Sequence, residues 1–296
     1  IDQGTGEPWK PKNYSNKFYG PSPLRVGIEK SRNLMTVRLA QSVGMDVVAD
    51  YAERFGVYDD MPAHLSYSLG AGETTLYKMV AAYGMFANGG RRVEPTLVDR
   101  IQDRRGHTIY RQDQRLCGDC PEPNTNNGHE PWPVPTARRI MDRVTAYQLV
   151  SMMQGVVTRG TAGRLAKLGL PLAGKTGTTN EGKDAWFIGF TPNIVAGCFI
   201  GYDNPRPMGK GGTGGGMCAP VFEDFMREAM KNRHPGEFKT PPGVEFASIE
   251  RTTGIRLPAG EGADVINEPF RAGQAPGLYQ TDRKGAAEGK RRRRGG

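Results

Sequence analysis

The 296-residue sequence has only four cysteines and four histidines, and no uninterrupted apolar run approaches the ~18 residues that a membrane-spanning helix needs. No signal-peptide pattern opens it either, so neither a leader nor a helical span is expected within these residues. His64, His107, His129 and His234 are scattered, with no pair at helical ligand spacing, and no metal or cofactor is expected. An excess of one charge is also largely missing. Lysine and arginine number 40 against 31 acidic residues, but five of the basic ones are Lys290 and Arg291 to Arg294. Without that tail the excess falls to +4 (35 against 31), too little to point to a nucleic-acid partner. Glycine (41) and proline (22) together make about a fifth of the chain, below the level of low-complexity sequence. What is present, 37% hydrophobic residues, can build the core of one large or two small domains. The opening I-D-Q-G-T-G-E-P-W-K reads as mid-domain sequence, so a fragment is expected.

Along the chain, residues 1–23 favour extended or turn structure, and helical stretches follow. Val47, Val48, Tyr51 and Phe55 recur at the helical period before Gly56. The clearest helix is expected at 74–87, with Leu76, Met79, Val80, Tyr83 and Ala87 on one face and Asn88-Gly89-Gly90 as a left-handed stop. Strand-like pieces at 96–101 and 107–111 flank a turn, and 112–136 reads as a proline-rich surface loop. Thr145 is the expected cap of a helix carrying Leu149, Val150, Met153 and Val157 and ending by Gly160. The period then changes. Segments 172–178, 184–190 and 194–202 read as strands, close enough in sequence to pair antiparallel. A glycine-dense turn at 209–216 leads to an amphipathic helix with Val221, Phe222, Phe225 and Met230. A strand-rich appendage (233–276) and a disordered basic tail (277–296) complete the chain. Helices early and strands late make an α+β fold with an antiparallel sheet packed against helices.

Two kinds of chemistry compete for Lys175. Residues 169–176, G-L-P-L-A-G-K-T, match the phosphate-loop pattern of a nucleotide hydrolase in form. That loop needs a helix directly after the lysine, whereas Gly177, Asn180 and Gly182 carry no helical period. The alternative places Lys175, Thr176, Gly177, Thr178 and Thr179 on the first strand of the antiparallel set. Thr176 and Thr178 would then share a face and donate to one carboxylate, Gly177 would leave room for a ligand backbone, and Lys175 would supply charge. Ser31-Arg32-Asn33 is the second element: either Ser31 caps a helix, or it relays a proton beside the Asn33 amide.

Together these residues resemble the penicillin-binding protein transpeptidases, whose signatures include Ser-x-x-Lys, Ser-x-Asn and Lys-Thr-Gly. Residues 19–40, 68–90, 148–162 and 173–192 all look like class A, bifunctional members, and the resemblance is strong over about 1–232. It implies a β-lactamase-like transpeptidase fold and a partial transpeptidase domain at 1–232. It also implies peptidoglycan D,D-transpeptidation, with stem peptides and β-lactams as ligands and no cofactor. By that resemblance Thr176, Gly177 and Thr178 bind the terminal carboxylate of D-Ala-D-Ala, and the Thr178 N–H is half an oxyanion hole. Lys175 and Ser31 form a relay to the leaving group, and Asn33 orients the peptide and the catalytic lysine. The full-length protein is expected at the periplasmic face of the bacterial inner membrane, with an N-terminal anchor and a glycosyltransferase domain.

The first motif is missing. The serines are 15, 22, 31, 42, 66, 68, 151 and 248, and none has lysine three residues on. Ser22 has Arg25, and a guanidinium is no general base. The chain alone is therefore expected to form no acyl-enzyme, and a non-catalytic scaffold or binding module is the alternative. Cys117 and Cys120 could form a short disulfide, remain thiols or bind a metal; Cys198 and Cys218 read as small buried residues.

Overall fold

The computed structural model describes residues 9–114, 136–260 and 264–278. The Cys117–Cys120 pair and the tail beyond residue 278 lie outside the described residues. Three helices come first: α1 (Leu24–Glu29), α2 (Asn33–Val43) and α3 (Met45–Arg54). Next are α4 (Leu76–Ala87), a small hairpin of β1 (Arg100–Gln102) and β2 (Thr108–Arg111), and α5 (Arg143–Thr158). A three-stranded sheet follows, made of β3 (Ala173–Thr178), β4 (Asp184–Phe190) and β5 (Val195–Gly201). The last helix is α6 (Ala219–Ala229), and the appendage is an antiparallel pair, β6 (Val244–Glu250) and β7 (Val265–Arg271).

The sheet order is β3-β4-β5, antiparallel throughout, so β3 forms an edge. Strand alternation divides its side chains. Ala185 and Phe187 turn toward α6, where they meet Phe222 and Met226 in one core cluster, joined by Val156 and Val157 of α5. Ala173 and Phe190 pack with Val150 and Met153 of α5 and with Tyr83 of α4. At Gly197 a side chain would run into Val80 and Leu76 of α4, so that glycine sets how closely helix and sheet approach.

Several local expectations need correction. The deepest residues of α4 are Ala81, Ala82 and Met85, not the expected face. The helix is apolar on two sides, with the sheet on one and Phe55 and Ile140 on the other. Helix α5 is capped by Asp142, whose carboxylate accepts from the Val144 and Thr145 amides, so Thr145 lies inside the first turn. In α6, Val221 and Phe225 are exposed, and the buried face is Ala219, Phe222, Glu223 and Met226. Val47 and Tyr51 of α3 are likewise exposed, while Phe55 is buried. Of 96–101, only the end is strand.

The appendage rests on α5. Gln148 Nε2 donates to the Pro269 carbonyl at 3.1 Å, Thr240 Oγ1 donates to the Tyr147 hydroxyl at 3.0 Å, and Phe246 meets Tyr147 edge-on.

Candidate functional site

The Ser31 side chain does not cap the start of α2, whose N-cap position is Arg32. Ser31 follows α1 in the left-handed region (φ +51°), with its N–H on the Ile28 carbonyl at 3.2 Å, while the Arg32 N–H reaches the Gly27 carbonyl at 2.9 Å. This is a Schellman closure, whose left-handed position ordinarily belongs to glycine. A serine there costs roughly 1 kcal/mol of backbone strain, and such strain persists where the side chain has a task.

That side chain meets Lys175. Strand β3 carries the lysine to the sheet edge, and Lys175 Nζ donates to Ser31 Oγ at 2.7 Å and to the Thr176 carbonyl at 2.8 Å. Among the described residues no carboxylate pairs with this ammonium, and burial pushes its pKa down to about 8. Near neutral pH it is still mainly a cation, yet close to the point of losing its proton.

Along β3 the two hydroxyls are not equivalent. Thr176 is buried, its Oγ1 2.7 Å from Thr161 Oγ1. Thr178 is exposed and its Oγ1 accepts from the Gly214 N–H at 3.1 Å, which leaves the hydroxyl proton free to be donated outward. The expected shared face thus presents one open hydroxyl, not two. The glycine-rich segment is also no loose turn. Its end, 214–218, is a π-helical turn capped by Thr213, whose hydroxyl accepts from the Gly216 N–H. A Cβ on Gly214 would stand 2.1 Å from the Trp186 carbonyl oxygen and 2.6 Å from that of Gly177. Gly177 itself lies opposite Trp186, and its missing side chain keeps the strand surface open.

A buried charged cluster fixes α1, and with it Ser31. Arg25, 4% exposed, donates to Glu268 of β7 and to Ser151 Oγ and the Ser151 carbonyl at 2.9 Å. Glu29, fully buried, takes Arg159 at 2.6 Å and Arg25 at 3.4 Å. The Glu29 carbonyl accepts from the Thr161 N–H at 3.1 Å, so the chain of contacts runs from the appendage through α1 to Thr161 and Thr176. Gly155 and Gly160 make room for it: a Cβ on Gly155 would stand 1.9 Å from Glu29 Oε1, and one on Gly160 2.3 Å from the Glu29 carbonyl oxygen.

Asn33 opens α2, two residues after Ser31. Its amide donates to the Lys12 carbonyl at 2.9 Å, tying α2 to the extended segment before α1. The lysine it was expected to orient belongs to a Ser-x-x-Lys motif that these residues do not contain. The phosphate-loop reading fails on geometry, because Lys175 and Thr176 lie inside β3 and no α-helix follows them until α6. Among the described residues no group of three or more histidine, cysteine or acidic residues could hold a metal. Two hollows, ≈240 Å³ beside Lys12 and Leu34 and ≈280 Å³ beside Gln154 and Ile266, do not include Lys175. The site is an open strand edge, suited to an extended chain laid along it.

Sequence reasoning did not single out Thr161, Gly214 or Glu29, and it considered Arg25 only as a failed general base for Ser22. Only Glu29 left a signal, a lone acid in the otherwise apolar V-G-I-E run.

The arrangement has counterparts. Residues 1–227 match the family profile described as the penicillin binding protein transpeptidase domain. The chain is 46% identical over 263 residues to penicillin-binding protein 1A of Rickettsia bellii, covering 88% of this chain and 33% of that protein. It is 37% identical over 288 residues to penicillin-binding protein 1A of Neisseria meningitidis, covering 97% and 34%. The crystal structure of penicillin-binding protein 1A from Haemophilus influenzae superposes with a TM-score of 0.79 at 29% identity, over 95% of this chain and 44% of that one. The chain spans about a third of the length of its curated relatives.

Proposed function

The chain belongs to the penicillin binding protein transpeptidase family, and from that premise we propose that it supplies the substrate-carboxylate and proton-relay side of a serine D,D-transpeptidase site. The substrate is the D-Ala-D-Ala terminus of a peptidoglycan stem peptide, or a β-lactam in its place. The terminal carboxylate lies against the Lys175 cation and the Thr178 hydroxyl, with Thr176 bracing the strand and Gly177 leaving it open. The Thr178 N–H faces the developing oxyanion. A serine oxygen attacks the penultimate carbonyl, the C–N bond to D-Ala breaks, and D-Ala leaves with a proton passed through Ser31 and Lys175. A neighbouring stem-peptide amine then displaces the serine, which recovers a proton. Asn33 steadies the donor peptide. The observation that carries this reading is the 2.7 Å contact between Lys175 Nζ and Ser31 Oγ beside the open Thr178 hydroxyl.

The attacking serine and its base lie outside these 296 residues, which hold no Ser-x-x-Lys. In the full-length protein they precede residues 1–232, the transpeptidase part, and 233–276 is an appendage. The full-length protein also carries a glycosyltransferase domain and a membrane anchor, and works at the periplasmic face of the inner membrane. Labelling with fluorescent penicillin tests the reading: the full-length protein becomes covalently labelled, and the 296-residue chain does not. Labelling of the chain at any of its own serines would overturn the assignment of the nucleophile. A full-length protein without Ser-x-x-Lys that takes no label would favour the scaffold reading.

A further inference from the structure

Cys198 and Cys218 are not isolated core residues. Cys198 lies in β5 directly opposite Phe187 of β4, so its side chain shares a sheet face with Phe187, Ala185 and Ile200. Cys218, the last residue of the π-helical turn, packs against that face, with its Sγ donating to the Ala185 carbonyl at 3.1 Å. Cys198 packs against the same core cluster that holds Cys218, so the two side chains meet on one face of the sheet. Cys218 is fully buried, whereas Cys198 is half-buried.

We propose that Cys198 and Cys218 are a disulfide-forming pair that fastens the π-helical turn to the sheet. The oxidant is a low-molecular-weight or protein disulfide. The Cys198 thiolate attacks one of its sulfurs, giving a mixed disulfide and releasing one thiol. The Cys218 sulfur, after giving up its proton, displaces the second thiol and forms the Cys198–Cys218 bond. Two thiol hydrogens leave the protein and appear on the two released thiols. Burial and the neighbouring Cys198 push the Cys218 thiol up, so the second step is the slower one. The bond closes a loop of about 20 residues, which favours the folded state. It also anchors Gly214, whose N–H holds Thr178 Oγ1, and so steadies one wall of the β3 surface. This inference stands independently of the transpeptidase reading.

Peptide mapping of the folded full-length protein after incubation with oxidised glutathione tests it. Tryptic cleavage after Lys183, Lys210 and Arg227 puts Cys198 in peptide 184–210 and Cys218 in peptide 211–227. The expected product is these two peptides joined, about 2 Da below their summed thiol mass, and separated again by dithiothreitol. A Cys117→Ser/Cys120→Ser background removes the other two cysteines of these 296 residues as partners, and a Cys218→Ala variant is expected to stop at glutathionylated Cys198. Recovery of both wild-type peptides as free thiols, or each separately glutathionylated, would overturn the proposal. Because the wild-type map decides this, a variant that fails to fold does not obscure the result.

Discussion

Lys175 and Ser31, 144 positions apart in sequence, meet with Nζ and Oγ at 2.7 Å. The contact needs two independent pieces of structure. An edge strand brings the lysine, and a Schellman turn holds the serine in the left-handed region. Neither makes sense as packing alone, because one buries a charge and the other strains a backbone.

The strain gives a prediction that separates function from stability. Ser31→Gly relieves the left-handed backbone, by about 1 kcal/mol, while removing the hydroxyl. The thermal midpoint of the full-length protein is expected to stay level or rise, and penicillin acylation to fall by at least tenfold. Differential scanning calorimetry and gel labelling read the two effects. A loss of stability with unchanged acylation contradicts the assignment.

Arg25 is the hinge of the buried charge cluster. Arg25→Met leaves Glu29 and Glu268 in the interior with that cation removed, which is expected to cost about 3–5 kcal/mol. Urea denaturation measures this. A change below about 1 kcal/mol would show that the carboxylates find other partners.

How much of this was legible in the sequence follows from which forces are local. The strands at 173–178, 184–190 and 195–201 were legible because alternation and turn residues are written within each segment. The end of α4 was legible for the same reason, with Gly89 and Gly90 both at positive φ. The cap of α5 went to Asp142 because two acceptor candidates, Asp142 and Thr145, share that turn, and only the backbone path decides which one faces the free amides. The exposed Val221 and Phe225 mislead because an apolar side chain on a helix says nothing about which neighbour the helix meets. In the site, Lys175 and Ser31 could be named from motifs. The inequality of Thr176 and Thr178 could not, since it arises from Thr161 and Gly214, brought in from 15 and 36 positions away.

Lys175 also makes stability depend on pH. Its pKa in the folded protein is about 8, below the 10.5 of an exposed lysine. Between those values the unfolded chain keeps a proton that the native protein has shed, so native stability rises with pH across that window. Below it both states are charged, and the native one bears the full desolvation cost. Lys175→Met abolishes this dependence. The stability of the variant relative to wild type is expected to be greatest near neutral pH and to shrink toward about pH 10. A difference in midpoint that is constant over that range contradicts the buried-ammonium account.

Gly214 sits where no side chain fits. Gly214→Ala would drive a methyl group into the Trp186 and Gly177 carbonyl oxygens, displacing the π-helical turn and the N–H that Thr178 accepts. The expected cost is about 1–3 kcal/mol in stability, with a further loss in penicillin affinity. Thr178→Val reads the affinity loss without the steric one. Equal acylation by wild type and Thr178→Val would remove the hydroxyl from the proposed carboxylate site.

The most direct test of the central relationship is a double-mutant cycle on penicillin acylation in the full-length protein, with Ser31→Ala, Lys175→Met and the pair. If hydroxyl and ammonium act as one relay, either single change costs nearly as much as both, and the interaction term is expected to exceed about 1.5 kcal/mol. Losses that simply add would mean that the two groups serve separately and that their contact is incidental to the chemistry.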